Sequence, residues 1–186
     1  MIEERKAVID IETGGFSVKK NGIVEIAMVI LNAKNEPIDY FQTLVKSYAQ
    51  EDGSFSEYSE KAFEVHGISM DDMEKEGKTP EEVCREIYRL IELHNVKAFI
   101  CHNASFDTPR LQHFFNRFSS ENNLDFSVNY CTMKIAKTLL NLDSYSLKSL
   151  CAFFEIENEQ AHRAMSDTVA TAKAFKKLAE YEESMY

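Results

Sequence analysis

The chain has 186 residues, of which 44% are hydrophobic and 28% are charged, and its formal net charge is −10. These values are typical of one soluble globular domain, which we expect to cover residues 1–186. The acidic excess argues against proteins that hold long duplex nucleic acid, because such proteins need a basic surface. An acidic chain can still act on small or single-stranded ends, since bound cations can bridge carboxylates to phosphate.

The sequence carries no signal for a membrane or for export. No apolar run approaches the length that a bilayer-spanning helix requires, and the first residues lack the basic-then-apolar order of a signal peptide. We therefore expect a cytoplasmic protein without membrane association. The four cysteines form no CxxC pair and lie among apolar residues, which indicates buried free thiols rather than disulfides or a zinc site.

Three strands are predicted near the start of the chain, over residues 7–12, 23–31 and 38–45. The first runs into the Gly14-Gly15 turn, and the second is almost continuously apolar, as expected for a strand that is buried on both faces. Their short connections predict an antiparallel meander. Residues 47–61 are polar and rich in turn formers, so we expect a surface loop there.

Helices dominate the rest of the chain. Thr79 and Glu82 form a capping box, with Pro80 at the first helical position, before apolar residues at helical spacing. A short buried strand is predicted over residues 96–101, and the next helix is marked by Leu111, Phe114, Phe115 and Phe118. The remaining predictions are a strand near residues 126–131 and helices over 132–140, 146–154 and 164–183. This succession predicts an α/β or α+β layered sheet.

Two carboxylates stand close together at the end of the first predicted strand. Asp10 and Glu12 are two residues apart, so strand alternation puts both on one face, and Ile9 and Ile11 on the other. Neighbouring carboxylates repel each other unless a cation lies between them. Two ordinary charges at a solvent-facing strand end explain the pair equally well when it is taken alone.

A further aspartate, Asp107, follows the apolar strand at residues 96–101. If Asn103 caps the next helix, Asp107 lies in its first turns, where the helix dipole favours an anion, and Pro109 removes a backbone hydrogen bond inside the helix. Alternatively, the helix begins at Thr108. The sequence leaves this boundary open, and a dipole-favoured aspartate without a catalytic role is the better explanation of Asp107 taken alone.

His162 and Asp167 are five residues apart near the start of the last predicted helix. On one helix this spacing would separate them by about 140° around the axis. They can converge only if His162 precedes the helix in a loop and Asp167 lies in its opening turns. Taken alone, a surface histidine and an aspartate favoured by the helix dipole remain the better explanation.

The joint arrangement is more informative than any single residue. Asp10, Glu12, Asp107 and Asp167 come from three separated segments, in that order, with His162 before the last. This arrangement resembles the histidine branch of the DEDDh exonuclease family, which has the ribonuclease H-like fold and includes the proofreading epsilon subunit of bacterial DNA polymerase III. The matching stretches extend across almost the whole chain, over residues 10–15, 65–68, 102–107, 146–150 and 162–167.

The resemblance implies a ribonuclease H-like α/β fold, in which helices flank a mixed central sheet whose first three strands are antiparallel. It also implies a 3′→5′ exonuclease that uses two divalent cations, Mg²⁺ or Mn²⁺, and releases nucleoside 5′-monophosphates. Asp10 would bind both ions, Glu12 and Asp167 would complete one ion site, and Asp107 would support the other. His162 would be the general base that takes the proton from the attacking water.

The same resemblance suggests how the end of a nucleic-acid strand is held. The backbone at Thr13 would bind the terminal 3′-hydroxyl, and Asn103 is a further candidate contact. Phe16, His66 and Phe106 are candidates to stack on the last bases, which gives affinity without sequence preference. Packing in the core is the competing interpretation of each ring, and it is strongest for Phe106.

Two differences from the family concern substrate and partners. Many relatives carry a second threonine after Thr13, where this chain has Gly14, so the pocket for the end nucleotide differs in shape. The last predicted helix runs to the end of the given sequence at Tyr186, so we expect no counterpart of the extension by which the epsilon subunit is tethered to its polymerase. We expect single-stranded nucleic acid or free 3′ ends as partners, DNA in preference to RNA, and only a loose association with a DNA polymerase.

Two other functions remain open from the sequence. One is a nucleic-acid-binding or polymerase-associated protein with a degenerate site, although all five catalytic positions are intact. The other is a metal-dependent phosphodiesterase that acts on small phosphate compounds, which the acidic composition allows.

Overall fold

A computed structural model describes residues 4–120, 124, 126 and 129–186. Its centre is a five-stranded sheet in the order β3-β2-β1-β4-β5, formed by β1 (Arg5–Thr13), β2 (Ile23–Leu31), β3 (Pro37–Leu44), β4 (Val96–Cys101) and β5 (Asn129–Cys131). The first three strands pair antiparallel, whereas β4 runs parallel to β1 and β5 runs parallel to β4. The predicted mixed sheet is confirmed. The strand predicted near residues 126–131 is observed as β5 (Asn129–Cys131). Positions 127 and 128 lie outside the described residues.

Helices cover both faces of this sheet. The described part of the chain contains α1 (Glu60–His66), α2 (Met70–Glu76), α3 (Pro80–His94), α4 (Ala104–Phe118), α5 (Thr132–Leu139), α6 (Leu147–Phe154) and α7 (Ala164–Glu183). The helices predicted over 132–140, 146–154 and 164–183 are confirmed to within one residue at each end. The predicted capping box also forms, because the Thr79 N–H donates to Glu82 Oε2 at 2.8 Å and the Glu82 N–H donates to Thr79 Oγ1 at 3.3 Å.

The short helices α1 and α2 were missed by the sequence analysis. Each begins after a serine whose hydroxyl accepts a backbone N–H three residues later, Ser59 before α1 and Ser69 before α2. Ser69 and Asp72 form a full capping box, which is a local signal that could have marked α2. α1 ends at Gly67, whose φ of 69° is a conformation that favours glycine.

The core lies on both faces of the sheet. On one face the apolar side chains of α3 and α4 pack against Ile9, Ile11 and Met28. On the other face α7 packs with Phe175 against Val8 and other strand residues. β2 is buried at every position, as its apolar run predicts, because it lies between two strands and beneath helices on both faces. The site described below lies at one edge of this two-sided core.

All four cysteines are buried free thiols, as the sequence predicts. Burial raises the pKa of Cys84 to about 12, so its thiol stays protonated and unreactive at neutral pH. Among the described residues no helix combines the length and the apolar character that a bilayer crossing requires.

Parallel pairing decides where the site forms. Because β1 and β4 are parallel, their carboxyl ends lie at the same edge of the sheet. α4 begins three residues after β4 ends, so its first turn lies near the end of β1. α7 packs against β1 and contributes its own first turn to this edge. The three segments that carry the candidate site residues therefore meet at one edge.

Candidate active site

The first strand presents two carboxylates on the face that α7 covers. Asp10 and Glu12 are both partly buried, whereas Ile9 and Ile11 are 0% and 4% exposed on the opposite face. Asp10 stands opposite Ala27 in the register with β2, and Glu12 stands opposite Glu25. The alternation predicted from the sequence, with Asp10 and Glu12 on one face of the strand and Ile9 and Ile11 on the other, is therefore observed.

The start of α7 brings His162 and Asp167 to these carboxylates. His162 is exposed and precedes the helix, with a φ of 65° that is uncommon for a residue other than glycine. Its backbone N–H donates to Asp167 Oδ2 at 3.1 Å across the first turn. Ligand atoms of Glu12, His162 and Asp167 all lie within 4.8 Å of one another. The geometric condition for convergence, a histidine before the helix and an aspartate inside it, is met.

Asn158 holds the other carboxylate oxygen of Asp167. Its Nδ2 donates to Asp167 Oδ1 at 2.7 Å, and its Oδ1 accepts from the Ser166 hydroxyl at 2.5 Å. The sequence analysis did not single out Asn158, since an asparagine in a polar loop carries no distinguishing pattern. Both oxygens of Asp167 thus have fixed donors, which sets the orientation of the carboxylate.

Asp107 lies in the first turn of α4 and is only 3% exposed. The structure resolves the open helix boundary, because α4 begins at Ala104 and includes Pro109. Of the two alternatives, the structure has the one in which Asn103 precedes the helix and Pro109 lies inside it. Asn103 occupies the cap position without a capping side-chain bond, and its Oδ1 accepts instead from the Ser105 hydroxyl at 2.7 Å.

Burial and mutual repulsion raise the pKa values of these carboxyl groups. Burial, together with the charges of Asp107, Asp167 and Glu12, raises the pKa of Asp10 well above its usual value. Burial and neighbouring carboxylates raise the pKa of Glu12 from 4.5 to about 8. Burial raises the pKa of Asp107 from 3.8 to about 7, against the opposing charge of Arg110. Without a counter-ion the cluster therefore holds protons at neutral pH.

This donor set fits a divalent cation. Carboxylate oxygens are the ligands that hard cations prefer, and a bound cation would relieve the repulsion that raises these pKa values. Glu12, His162 and Asp167 already converge on one position, and Asp10 and Asp107 add their charges beside it. The cluster therefore has both the chemistry and the charge that a cation site requires.

A pair of phenylalanines lies beside the carboxylates. Phe16 is 86% exposed, and its ring meets Phe106 edge-on with centroids 6.4 Å apart. The Arg110 guanidinium lies 3.6 Å from the centre of the Phe106 ring and donates to the backbone carbonyls of both Phe16 and Phe106. Arg110, which the sequence analysis missed, joins the loop after β1 to α4. Phe106 is only partly buried, so the structure does not place its ring in the core.

Thr13 and His66 are both buried next to the site. The Thr13 hydroxyl donates to the Gly15 carbonyl at 2.8 Å, which closes the turn after β1. His66 is 6% exposed, and its Nδ1 accepts the Ile68 N–H at 3.1 Å. Burial lowers the pKa of His66, and a hydrogen bond with the Thr13 backbone opposes that shift. The structure thus places His66 next to the backbone of Thr13.

The glycine at position 14 is explained by the close approach of the segment before α1. A Cβ atom at this position would lie 2.7 Å from the Glu57 carbonyl oxygen and 3.3 Å from Tyr58 Cα. The Ser59 N–H also donates to the Gly14 carbonyl at 2.9 Å. The segment before α1 therefore fills the space that a threonine side chain would take.

Glu25 is a buried carboxylate that the sequence analysis overlooked within the apolar run of β2. Arg163 Nη2 donates to Glu25 Oε1 at 2.8 Å, and Arg163 Nε donates to Glu25 Oε2 at 3.2 Å. Burial acts to raise the pKa of Glu25, but its hydrogen bonds from Arg163, Ala164 and Gln42 outweigh burial, so the pKa is lowered. A charged residue in the middle of an otherwise apolar strand was the available signal, since such a residue needs a partner.

The family follows from the sequence as a whole. A family model described as Exonuclease (RNase_T) matches residues 7–175. The chain belongs to this exonuclease family. The histidine-branch DEDDh assignment made from the sequence motifs is thereby supported, and the matched range includes all five candidate catalytic residues.

Sequence relatives of this exonuclease domain are much longer proteins. It is 30% identical over 174 residues to a PolC-type DNA polymerase III of Thermotoga maritima, and 29% identical over 177 residues to that of Bacillus subtilis. These alignments cover 93% and 95% of this chain but only 12% and 11% of the relatives. The chain therefore corresponds to a small part of each polymerase.

Solved structures share the fold of this exonuclease domain. Escherichia coli exonuclease I in complex with a dT13 oligonucleotide superposes with a TM-score of 0.76 at 18% identity, over 98% of this chain and 42% of that chain. Cell-death related nuclease 4 superposes with a TM-score of 0.73 at 13% identity, over 96% of this chain and 64% of that chain. At these identities the comparison establishes the fold, which is the ribonuclease H-like fold that the resemblance implied.

Proposed function

We propose that this chain is a metal-dependent 3′→5′ exonuclease that hydrolyses phosphodiester bonds at nucleic-acid ends and releases nucleoside 5′-monophosphates. The observation that carries the proposal is the convergence of Glu12, His162 and Asp167 within 4.8 Å, beside the carboxyl groups of Asp10 and Asp107. Membership of the exonuclease family supports the reaction class.

Two divalent cations, Mg²⁺ or Mn²⁺, are the proposed cofactors. Asp10, Glu12, Asp107 and Asp167 would hold them, since all four are hard oxygen donors at one edge of the sheet. When bound, such cations neutralise charge on the phosphate and favour ionisation of water. The high pKa values of Asp10, Glu12 and Asp107 mean that binding releases protons from these groups.

His162 is proposed as the general base. It is exposed, it lies at the site before α7, and its backbone is fixed by the hydrogen bond to Asp167. An imidazole can accept a proton near neutral pH and pass it to solvent, which suits the deprotonation of an attacking water. In this role His162 takes the proton at a ring nitrogen, beside the carboxyl groups of Glu12 and Asp167.

The exposed ring of Phe16 and the partly buried ring of Phe106 would receive the last bases of the strand, and the Thr13 backbone would hold its 3′-hydroxyl. Arg110 stabilises this arrangement because it binds both phenylalanine carbonyls. Stacking on exposed rings tolerates any base and favours single strands over paired ones. The dT13 complex of exonuclease I supports single-stranded DNA as the substrate class.

The setting of the enzyme is also proposed. The PolC-type relatives favour DNA in preference to RNA and a loose association with a DNA polymerase. The cytoplasm is the compartment that fits such a substrate.

The experiment is a nuclease assay on short oligonucleotides with Mn²⁺, with a chelator as control. A 3′-labelled single strand should release labelled mononucleotide at once, whereas a 5′-labelled strand should shorten stepwise. Matched DNA and RNA strands would then rank the two substrates. No mononucleotide release from either polymer would refute the proposal, and immediate release from the 5′ label would refute the polarity. Hydrolysis of a small phosphodiester without action on oligonucleotides would favour the small-substrate alternative.

A further inference from the structure

Glu25 lies at the active site although it is not among the four carboxylates of the family motif. It is 0% exposed and is the only charged residue of β2. It stands directly opposite Glu12 in the antiparallel register, so both side chains lie on the same sheet face. A buried carboxylate at this place would repel Glu12 unless another group neutralised it.

Four hydrogen bonds tie Glu25 to the start of α7 and to β3. Besides the two bonds from Arg163, the Ala164 N–H donates to Glu25 Oε2 at 2.9 Å, and Gln42 Nε2 donates to Glu25 Oε1 at 2.7 Å. Ala164 is the first residue of α7, so its N–H has no partner within the helix. Glu25 therefore holds the start of α7 against the sheet through the backbone N–H of Ala164 and the side chain of Arg163.

The residues that Glu25 fixes are neighbours of the candidate base. Arg163 follows His162 directly, and its carbonyl accepts the Asp167 N–H at 3.0 Å. His162 has a φ of 65°, a conformation that costs free energy outside glycine and persists only where neighbouring contacts impose it. The bonds of Glu25 on one side and of Asp167 on the other supply those contacts.

The ion pair also controls where a positive charge lies. The Arg163 side chain is 41% exposed and is attracted by Glu12 as well as by Glu25. With Glu25 ionised, the pair is neutral and the guanidinium is held against β2. Without that charge, the guanidinium is free to pair with Glu12 and to compete with a cation there.

We propose that Glu25 is a positioning residue of the active site that acts through Arg163. It holds the His162 backbone in its left-handed conformation for proton transfer, and it keeps the Arg163 guanidinium away from Glu12. The effect of Glu25 on proton transfer by His162 rests on the proposed function. The effect of Glu25 on the position of the Arg163 guanidinium concerns cation binding alone.

The experiment compares Glu25→Gln, Arg163→Gln and the double variant with the wild type. Mn²⁺ affinity is measured by calorimetric titration, kcat and KM are measured on a single-stranded oligonucleotide, and folding is followed by thermal unfolding in chelator. Glu25→Gln should weaken Mn²⁺ binding about tenfold, because it leaves the Arg163 guanidinium free to pair with Glu12, and a nearby opposite charge shifts such an equilibrium by about 10-fold or more. The double variant, in which the pair is again neutral, should recover wild-type Mn²⁺ affinity. Both Glu25→Gln and the double variant should keep a kcat at least tenfold below that of the wild type, with KM unchanged.

The matched control is Glu36→Gln, which removes another ion pair between α7 and the β2–β3 connection, Glu36 with Lys176 at 3.7 Å. It should change neither Mn²⁺ affinity nor kcat. A folded Glu25→Gln protein with wild-type Mn²⁺ affinity and wild-type kcat would overturn the proposal. Recovery of kcat in the double variant would also overturn it. If Glu25→Gln does not fold, wild-type kcat in Arg163→Gln would overturn the positioning role. A wild-type protein without nuclease activity would refute the proposed function instead, while the Mn²⁺ titrations would still test the charge effect.

Discussion

The raised pKa of Glu12 leads to a prediction about stability. Glu12 has a pKa of about 8 in the folded protein and an ordinary value of 4.5. The folded state therefore keeps a proton that the unfolded chain loses, and stability falls as pH rises from about 4.5 to about 8. Glu12→Gln keeps this position neutral at every pH. In the presence of chelator, the variant should gain stability relative to the wild type as pH rises.

The size of the effect follows from the two pKa values. Each pH unit between them corresponds to about 1.4 kcal/mol, so complete ionisation of Glu12 costs the folded state at most about 5 kcal/mol. Because Glu12 is partly exposed, solvent screening reduces this to about 2–3 kcal/mol. For a domain of this size, about 1 kcal/mol shifts Tm by roughly 2–4 °C. The Tm difference between variant and wild type should therefore grow by roughly 5–10 °C from pH 5 to pH 9.

Scanning calorimetry of both proteins in chelator, at several pH values, measures this difference. Glu36→Gln is the control, since the hydrogen bond from Asn32 and the charge of Lys176 lower the pKa of Glu36, opposite to the shift at Glu12. Mn²⁺ should stabilise the wild type more at pH 9 than at pH 5. A Tm difference between Glu12→Gln and wild type that is flat, or that shrinks with pH, would refute the reasoning.

Four further substitutions test individual roles. Asp10→Ala should abolish Mn²⁺ binding in a calorimetric titration and nearly all nucleotide release. His162→Ala should bind Mn²⁺ but lose about 10²- to 10⁴-fold in kcat, the contribution typical of a general base. Phe16→Ala should raise KM for a single-stranded oligonucleotide about 5- to 100-fold with little change in kcat, because one stacked base contributes about 1–3 kcal/mol. Asn158→Ala should weaken Mn²⁺ binding about tenfold, because it removes the 2.7 Å hydrogen bond that orients Asp167.

Each of these predictions has a contradicting outcome. An active Asp10→Ala enzyme would remove it from the set of metal ligands. Loss of Mn²⁺ binding in His162→Ala would make the histidine a ligand and not a base. An unchanged KM in Phe16→Ala would exclude stacking there, with Phe153→Ala, an exposed ring on α6, as the control. Wild-type Mn²⁺ affinity in Asn158→Ala would show that the Asp167 carboxylate needs no second support.

Local patterns predicted most of the elements that build the site. Strand alternation placed Asp10 and Glu12 on one face because that period is a property of any extended chain. The capping box at Thr79 and Glu82 predicted the start of α3, since such bonds connect residues three apart. His162 and Asp167 can converge only if a helix begins between them. The helical period of residues 164–183 predicted that the helix begins there.

Other local signals failed because tertiary contacts outweighed them. Pro109 argued against a helix through residues 104–118, yet α4 continues through it. Burial of Leu111 and Phe114 on the next turns stabilises this helix by more than one lost backbone hydrogen bond costs. Asn103 occupies the cap position, but its side chain accepts a hydrogen bond from Ser105 and caps no backbone N–H. Helix propensity is a weak predictor wherever tertiary packing stabilises the helix.

The sequence by itself determined the family and predicted the five strands and five of the seven helices in the described part of the chain. It also predicted the residues that are proposed to carry the chemistry. These follow from short-range periodicity and from motifs that lie within a few residues of one another. Only the tertiary structure decided which other groups hold them in place. Glu25 and Arg163 are 138 positions apart, and Arg110 and Phe16 are 94 positions apart. Such pairs depend on strand register and helix packing, which bring together residues whose separation along the chain carries no periodic signal.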